Sequence, residues 1–177
     1  MSRDPDFAAD LARYPKHAFA REQSIWVLAT YRFGRRVDRM PPGIWQKVLT
    51  KIYWLRFRLF ETLTGISLPK EVEIGPGLRI YHFGNIFVHS DAKIGANCTI
   101  RQGVTIGNRT IGGPAPVVED DVEFGAYAQV LGEIHIGRGA KIGAMSVVLE
   151  DVPAGATAVG IPARIVHADH IAESATL

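Results

Sequence analysis

The sequence predicts a mainly β fold: a parallel β-helix of hexapeptide repeats behind a short α-helical N-terminal segment. Three observations carry this expectation. An apolar residue stands at every sixth position from Val88 to Val148: Val88, Ile94, Ile100, Ile106, Val118, Phe124, Val130, Ile136, Ile142 and Val148, with Gly112 the one interruption. Glycine repeatedly follows this rung, at Gly95, Gly107, Gly113, Gly125, Gly137 and Gly143. A small residue precedes the rung by two positions, at Ala92, Cys98, Ala128, Ala140 and Ser146. Helices repeat every 3.6 residues and strands every 2, so neither produces a period of six. A fixed repeat with one inward side chain per unit is the mark of a solenoid.

Residues 1–65 read differently. They hold 12 of the 20 Lys and Arg residues, 6 of the 18 Asp and Glu residues, and 11 of the 16 aromatics, including every tryptophan. Two helices are expected, one over Phe19 to Val37 and one from about Gly43 to Thr64, with Pro42 placed for a start and Gly65 for a C-terminal cap. The second helix is apolar over more than one stripe, so it needs cover on several sides. Packing against the solenoid or against other copies of the chain is one reading. The other is an interfacial helix, with Trp45, Tyr53, Trp54 and Phe57 at an acyl boundary and Lys47, Lys51, Arg56 and Arg58 at anionic headgroups. The basic leader carries no nucleic-acid motif, and no nucleic-acid partner is expected.

The solenoid is expected over residues 66–166, with 167–177 as a tail. Three hexads make one triangular coil of about 18 residues, and coils stack at about the 4.8 Å strand spacing. The glycine after the rung serves either positive φ or close approach of a neighbouring coil. Upstream, the phase runs through Leu68, Ile74 and Ile80, then slips by two residues before Val88. The slip falls on Tyr81-His82-Phe83-Gly84-Asn85, which is therefore expected to be pushed out as a loop. The hexads lapse again, in phase, from Asn108 to Pro116. Loops interrupting a regular scaffold are where function concentrates.

The stretch from Gly65 to Val166 resembles the left-handed β-helix of hexapeptide-repeat acetyltransferases, in the serine acetyltransferase-like branch. The resemblance rests on Ile100-Arg-Gln-Gly-Val-Thr-Ile-Gly107, Gly137-Arg-Gly-Ala-Lys-Ile-Gly-Ala144, Val159-Gly-Ile-Pro-Ala-Arg-Ile-Val166 and the His82 loop. It implies acetyl-CoA as co-substrate, a homotrimer with the coenzyme lying between neighbouring solenoids, and His82 as general base. Histidine suits that role because its ordinary pKa lies near the operating pH. Carried over by motif, Gly107 and Asn108 would flank the thioester, Ala126 and Ala144 would meet the pantetheine arm, and Lys141 and Arg164 would lie toward the phosphates. The small residues at 126 and 144 are equally what coil geometry demands.

Composition sets the remaining bounds. One cysteine excludes an intrachain disulfide framework, and Cys98 on the small-residue column reads as packing. With no evident signal peptide and no long uncharged apolar run, the expected compartment is the cytoplasm, with the inner face of the membrane as the alternative the leader raises. Among the other histidines, His17, His167 and His170 read as exposed, and His135 points outward from a coil face. No Gly-x-Ser-x-Gly nucleophile motif is present, so direct transfer in a ternary complex is expected.

The chain departs from serine acetyltransferases where that family holds serine. Tyr81 stands where the family has aspartate, Ala115 where it has a second histidine, and Ser67 where an aspartate would orient the base. An amino-acid acceptor needs charged partners for its ammonium and carboxylate. The expected acceptor is therefore a hydroxyl of a sugar or exopolysaccharide precursor, oriented by Tyr81, Asn85, His89 or Arg109; the alternative is L-serine. A zinc hydratase on the same fold would need three converging imidazoles, which the loops do not offer, so no metal is expected. A non-catalytic assembly module is the remaining reading.

Overall fold

Residues 66 to 166 wind into a parallel β-solenoid with three sheet faces, seen in a computed structural model that describes residues 4–166. The tail expected at 167–177, including His167 and His170, lies outside the described residues.

The first face (sheet A) stacks β1 (Ile66–Ser67), β4 (Ile86–Val88), β7 (Thr105–Gly107), β10 (Gln129–Leu131) and β13 (Val147–Val148). The second (sheet B) stacks β2 (Glu73–Ile74), β5 (Lys93–Ile94), β8 (Val117–Val118) and β11 (His135–Ile136). The third (sheet C) stacks β3 (Arg79–Tyr81), β6 (Thr99–Arg101), β9 (Glu123–Phe124), β12 (Lys141–Ile142), β14 (Thr157–Gly160) and β15 (Ala163–Val166). Every pairing is parallel except β14 with β15, an antiparallel hairpin that ends sheet C.

Register shows how the two irregularities are absorbed. Phe87 pairs with Thr105 and Gln129 with Val147, each one regular coil apart. Ile66 instead pairs with Ile86, two residues further than regular spacing, and the surplus is the His82 loop. Thr105 pairs with Gln129, a surplus of one whole hexad, which explains why the phase survives. Gly112 is therefore not a weak rung in the coil. It sits in a hexad extruded into solvent, beside a fully exposed Ile111.

All ten rungs from Val88 to Val148 are buried, as are Ala92, Cys98, Ala128, Ala140 and Ser146. Each large rung contributes about 1.5–3 kcal/mol by leaving water. At Gly95, Gly125, Gly137 and Gly143 the glycine after the rung serves close approach of the next coil, whereas at Gly107 a Cβ would have room. A Cβ at Gly95 would lie 2.5 Å from the Asp120 backbone nitrogen, and one at Gly125 2.4 Å from that of Ala144, while neither has positive φ.

The leader holds four helices where two were expected: α1 (Pro5–Ala12), α2 (Ala18–Arg21), α3 (Ser24–Asp38) and α4 (Ile44–Thr64). The helix expected over Phe19 to Val37 is broken at Glu22–Gln23. Asp4 caps α1 by accepting from the backbone N–H of Asp6 and Phe7. Gly65 ends α4 in the left-handed region, at φ 65°, as expected. Helix α3 covers the open end of the first coil with Ile25, Leu28 and Tyr31, and the Tyr31 hydroxyl donates to the Val72 carbonyl. Beneath it, Arg32 forms a two-point pair with fully buried Asp10, which also accepts from the N–H of Gly77 and Leu78. Helix α4 lies outermost, and only Tyr53 and Thr64 on it are buried.

Candidate active site

The loop carrying His82 leaves β3 at the edge between sheets C and A. Three of its residues, His82, Gly84 and Asn85, have positive φ (66°, 107° and 55°), so the chain turns sharply outward and presents the imidazole to solvent. Asparagine and glycine accept this conformation readily; histidine does so at a modest cost.

Behind the loop stands Arg79, buried in the floor of the site. Its guanidinium lies 3.9 Å from the Tyr14 ring centre and 4.2 Å from that of Tyr81. It pairs with both oxygens of Glu22, at 2.5 and 2.9 Å. Arg101 lies 5.7 Å from the same Tyr81 ring. Tyr81, with His82 next to it in the chain, is thus held on a stack of rings and guanidinium planes anchored in the leader.

A cleft of about 270 Å³ opens beside His82, walled by Tyr81, Phe83 and Arg79 from the solenoid and by Arg21, Glu22, Gln23 and Ser24 from the α2–α3 junction. The sequence reading missed the leader's share of this wall. No repeat or motif marks it, because Glu22 and Arg79 meet across a separation of 57 residues. Arg21 and Glu22 bring charge to this wall beside Tyr81, with the Glu22 carboxylate already held by Arg79.

A second depression, of about 320 Å³, runs over the outer face of sheet C. It gathers Ala126, Lys141 and Ala144 with Thr99, Arg101 and Phe124. Three of the six expected coenzyme contacts therefore share one groove on the sheet that leads to His82. The expected coenzyme contacts Gly107 and Asn108, with Arg109, expected at the acceptor, lie elsewhere, where the chain leaves β7 at the edge between sheets A and B. His89 occupies the same edge one coil earlier, where its Nδ1 accepts from the Asp91 N–H. Arg164, on β15, shares a cleft of about 370 Å³ with Arg109, Glu150 and Asp151.

The site residues thus form two sets on two different edges of one prism. Tyr81, His82, Asn85, Ala126, Lys141 and Ala144 belong to the C–A edge, and His89, Gly107, Asn108 and Arg109 to the A–B edge. Within one chain they do not converge. Sheet A lies between the two edges, and its outward residues Ser67, Phe87, Thr105, Gln129 and Val147 are uncharged. Sheet B by contrast presents Glu73, Lys93 and His135.

Cys98 takes no part in any of this. Burial pushes its thiol up to about 11, and its Sγ–H donates to the Glu119 carbonyl. Among the described residues, no group of three His, Cys, Asp or Glu side chains converges to hold a metal ion.

Comparison with known proteins agrees with this architecture. The bacterial transferase hexapeptide (six repeats) family matches residues 115–150. A serine acetyltransferase from Synechococcus elongatus is 38% identical over 96 residues, which is 53% of this chain and 39% of that protein. The soybean serine acetyltransferase solved with serine superposes at a TM-score of 0.76 and 31% identity, covering 92% of this chain and 67% of that one. A serine acetyltransferase solved with CoA superposes at 0.74 and 30% identity, covering 91% and 66%. This chain therefore spans about two thirds of the length of the solved enzymes. Repeat, register and these matches together place it in the hexapeptide-repeat transferase family, as a homologue of the serine acetyltransferases.

Proposed function

We propose that this chain is an acetyl-CoA-dependent O-acetyltransferase in which His82 is the general base. The observation that carries the reading is one exposed imidazole on a loop expelled from an otherwise regular solenoid, following the same sheet over which a groove lined by Ala126, Ala144 and Lys141 runs. His82 removes the proton from the acceptor hydroxyl as its oxygen attacks the thioester carbonyl. The tetrahedral oxyanion collapses with loss of the CoA thiolate, which takes the proton back from the imidazolium. Acetyl-CoA supplies the activated acyl group. Lys141 and Arg164 meet its phosphates, and Gly107 and Asn108 flank its thioester.

Because the two sets of residues occupy different edges, a complete site needs His82 from one copy and the Asn108 loop from a neighbour. The uncharged face of sheet A, and Ile111 exposed at the loop tip, suit such a contact, and a homotrimer closes it with each copy serving both roles.

Two acceptors compete. L-serine has the support of the similar proteins, and Arg21 in the cleft supplies a cation for its carboxylate. The sugar hydroxyl expected from the sequence is supported by Tyr81 and Phe83, 40% and 47% exposed, whose rings offer stacking faces beside the base. Of the two, L-serine is the better backed. A CoA-release assay comparing L-serine with glycans and nucleotide sugars decides between them. Release with L-serine alone establishes the first, release with a glycan alone the second, and no release with any acceptor overturns acetyl transfer itself.

A further inference from the structure

Helix α4 presents to solvent what a helix ordinarily hides. Ile44, Trp45, Val48, Ile52, Leu55, Leu59 and Leu63 are all exposed, from 39% at Val48 to 72% at Trp45 and Leu55. Their spacing puts them on one face, an arc of about 100° at the helical 3.6-residue period. The opposite face does the packing. There Tyr53, one of the four aromatics expected at an acyl boundary, is fully buried, and its hydroxyl oxygen accepts from the Lys70 N–H. The apolar stripe is therefore separate from the face that holds the helix to the protein.

Charge says what the stripe meets. From Arg39 to Phe60 the chain has five cations and no carboxylate. Lys47, Lys51 and Arg58 line one flank of the stripe, exposed, and form no ion pair among the described residues. Arg56 lies on the other flank against the Phe33 ring. Two copies joined stripe to stripe would bring these cations together, and the uncharged surface suited to self-contact is sheet A. No described helix is long and apolar enough to cross a membrane. An apolar face with basic margins instead matches the boundary between acyl chains and anionic headgroups.

We propose that α4 docks this chain on an anionic lipid surface, with Trp45, Leu55 and Leu59 entering the acyl boundary and Lys47, Lys51 and Arg58 meeting headgroups. The proposal goes beyond acetyl transfer and does not depend on it. In a trimer of parallel solenoids the three leaders sit at one end, so three stripes face one surface and their affinities combine.

The test is cosedimentation of the full chain with phosphatidylcholine vesicles, with and without about 30% phosphatidylglycerol, the anionic content that basic segments respond to. Binding should be at least about tenfold tighter on the anionic vesicles and largely lost in about 0.5 M salt, where screening shortens to a few ångströms. Lys47→Glu with Arg58→Glu should weaken it by about fivefold or more per charge. Leu55→Glu with Leu59→Glu should abolish it without changing the melting temperature, the oligomer mass or the release of CoA from acetyl-CoA with a soluble acceptor. Absent binding, or equal binding to both vesicles, overturns the proposal. So does a change of oligomer mass in the Leu55 and Leu59 variant, which would assign the stripe to a contact between copies.

Discussion

At the scale of single residues, the site depends on one exposed side chain whose removal should leave the fold intact. His82 occupies a left-handed conformation that asparagine tolerates, so His82→Asn isolates the chemistry from the turn. It should lower kcat/KM for CoA release by about 10² to 10⁴, the usual worth of a positioned general base, with the melting temperature unchanged. Tyr31 makes a different kind of prediction. Burial pushes its phenol up to about 12 from an ordinary 10.0. A folded pKa above the unfolded one gives stability that is complete below pH 10 and lost as pH rises toward 12. Melting temperatures between pH 8 and 11 should therefore fall at the alkaline end, and less steeply in Tyr31→Phe, although that variant starts lower for want of the bond to Val72.

At the scale of elements, the sequence made plain what repeats and concealed what does not. Each rung announces itself because a hexad has one inward position and the next hexad has another. The two loops were legible for the same reason, as a slip of two residues and a lapse of six. Helix α1 had no such signal. It is eight residues long, too short to stand on its own propensity, and it is held by the Asp10–Arg32 pair and by Arg13, which donates to the carbonyls of Gly77, Asn97 and Cys98. Asp10→Ala leaves a buried guanidinium and two backbone donors without their partner. It should cost about 3–5 kcal/mol in denaturant unfolding, far more than an exposed leader residue would. The cleft wall at Arg21 to Ser24 was hidden likewise, since a contact across many residues leaves no local trace. Gly95→Ala probes the coil itself: its methyl would meet the next coil's backbone, with an expected cost of about 1–3 kcal/mol.

At the scale of the whole molecule, the proposed function makes assembly a requirement for activity, because the two loops lie on different edges. Phe87, half exposed on the second strand of uncharged sheet A, is where a charge should do the most harm. Phe87→Arg should shift the mass measured by light scattering toward the monomer and reduce CoA release in proportion. A variant still fully trimeric yet inactive would place the defect elsewhere. The opposite ends of the solenoid raise a separate matter. A stack of parallel coils has no intrinsic stopping point, because the backbone groups of its last coil are a template for another strand. Here α3 closes the first coil, and the antiparallel turn-back of β15 on β14 closes sheet C at the other end. Length control in this protein therefore resides in a four-residue strand running against the grain. A chain cut before Ala163 would keep its core and the His82 loop, but it would carry an open edge along which copies could join end to end.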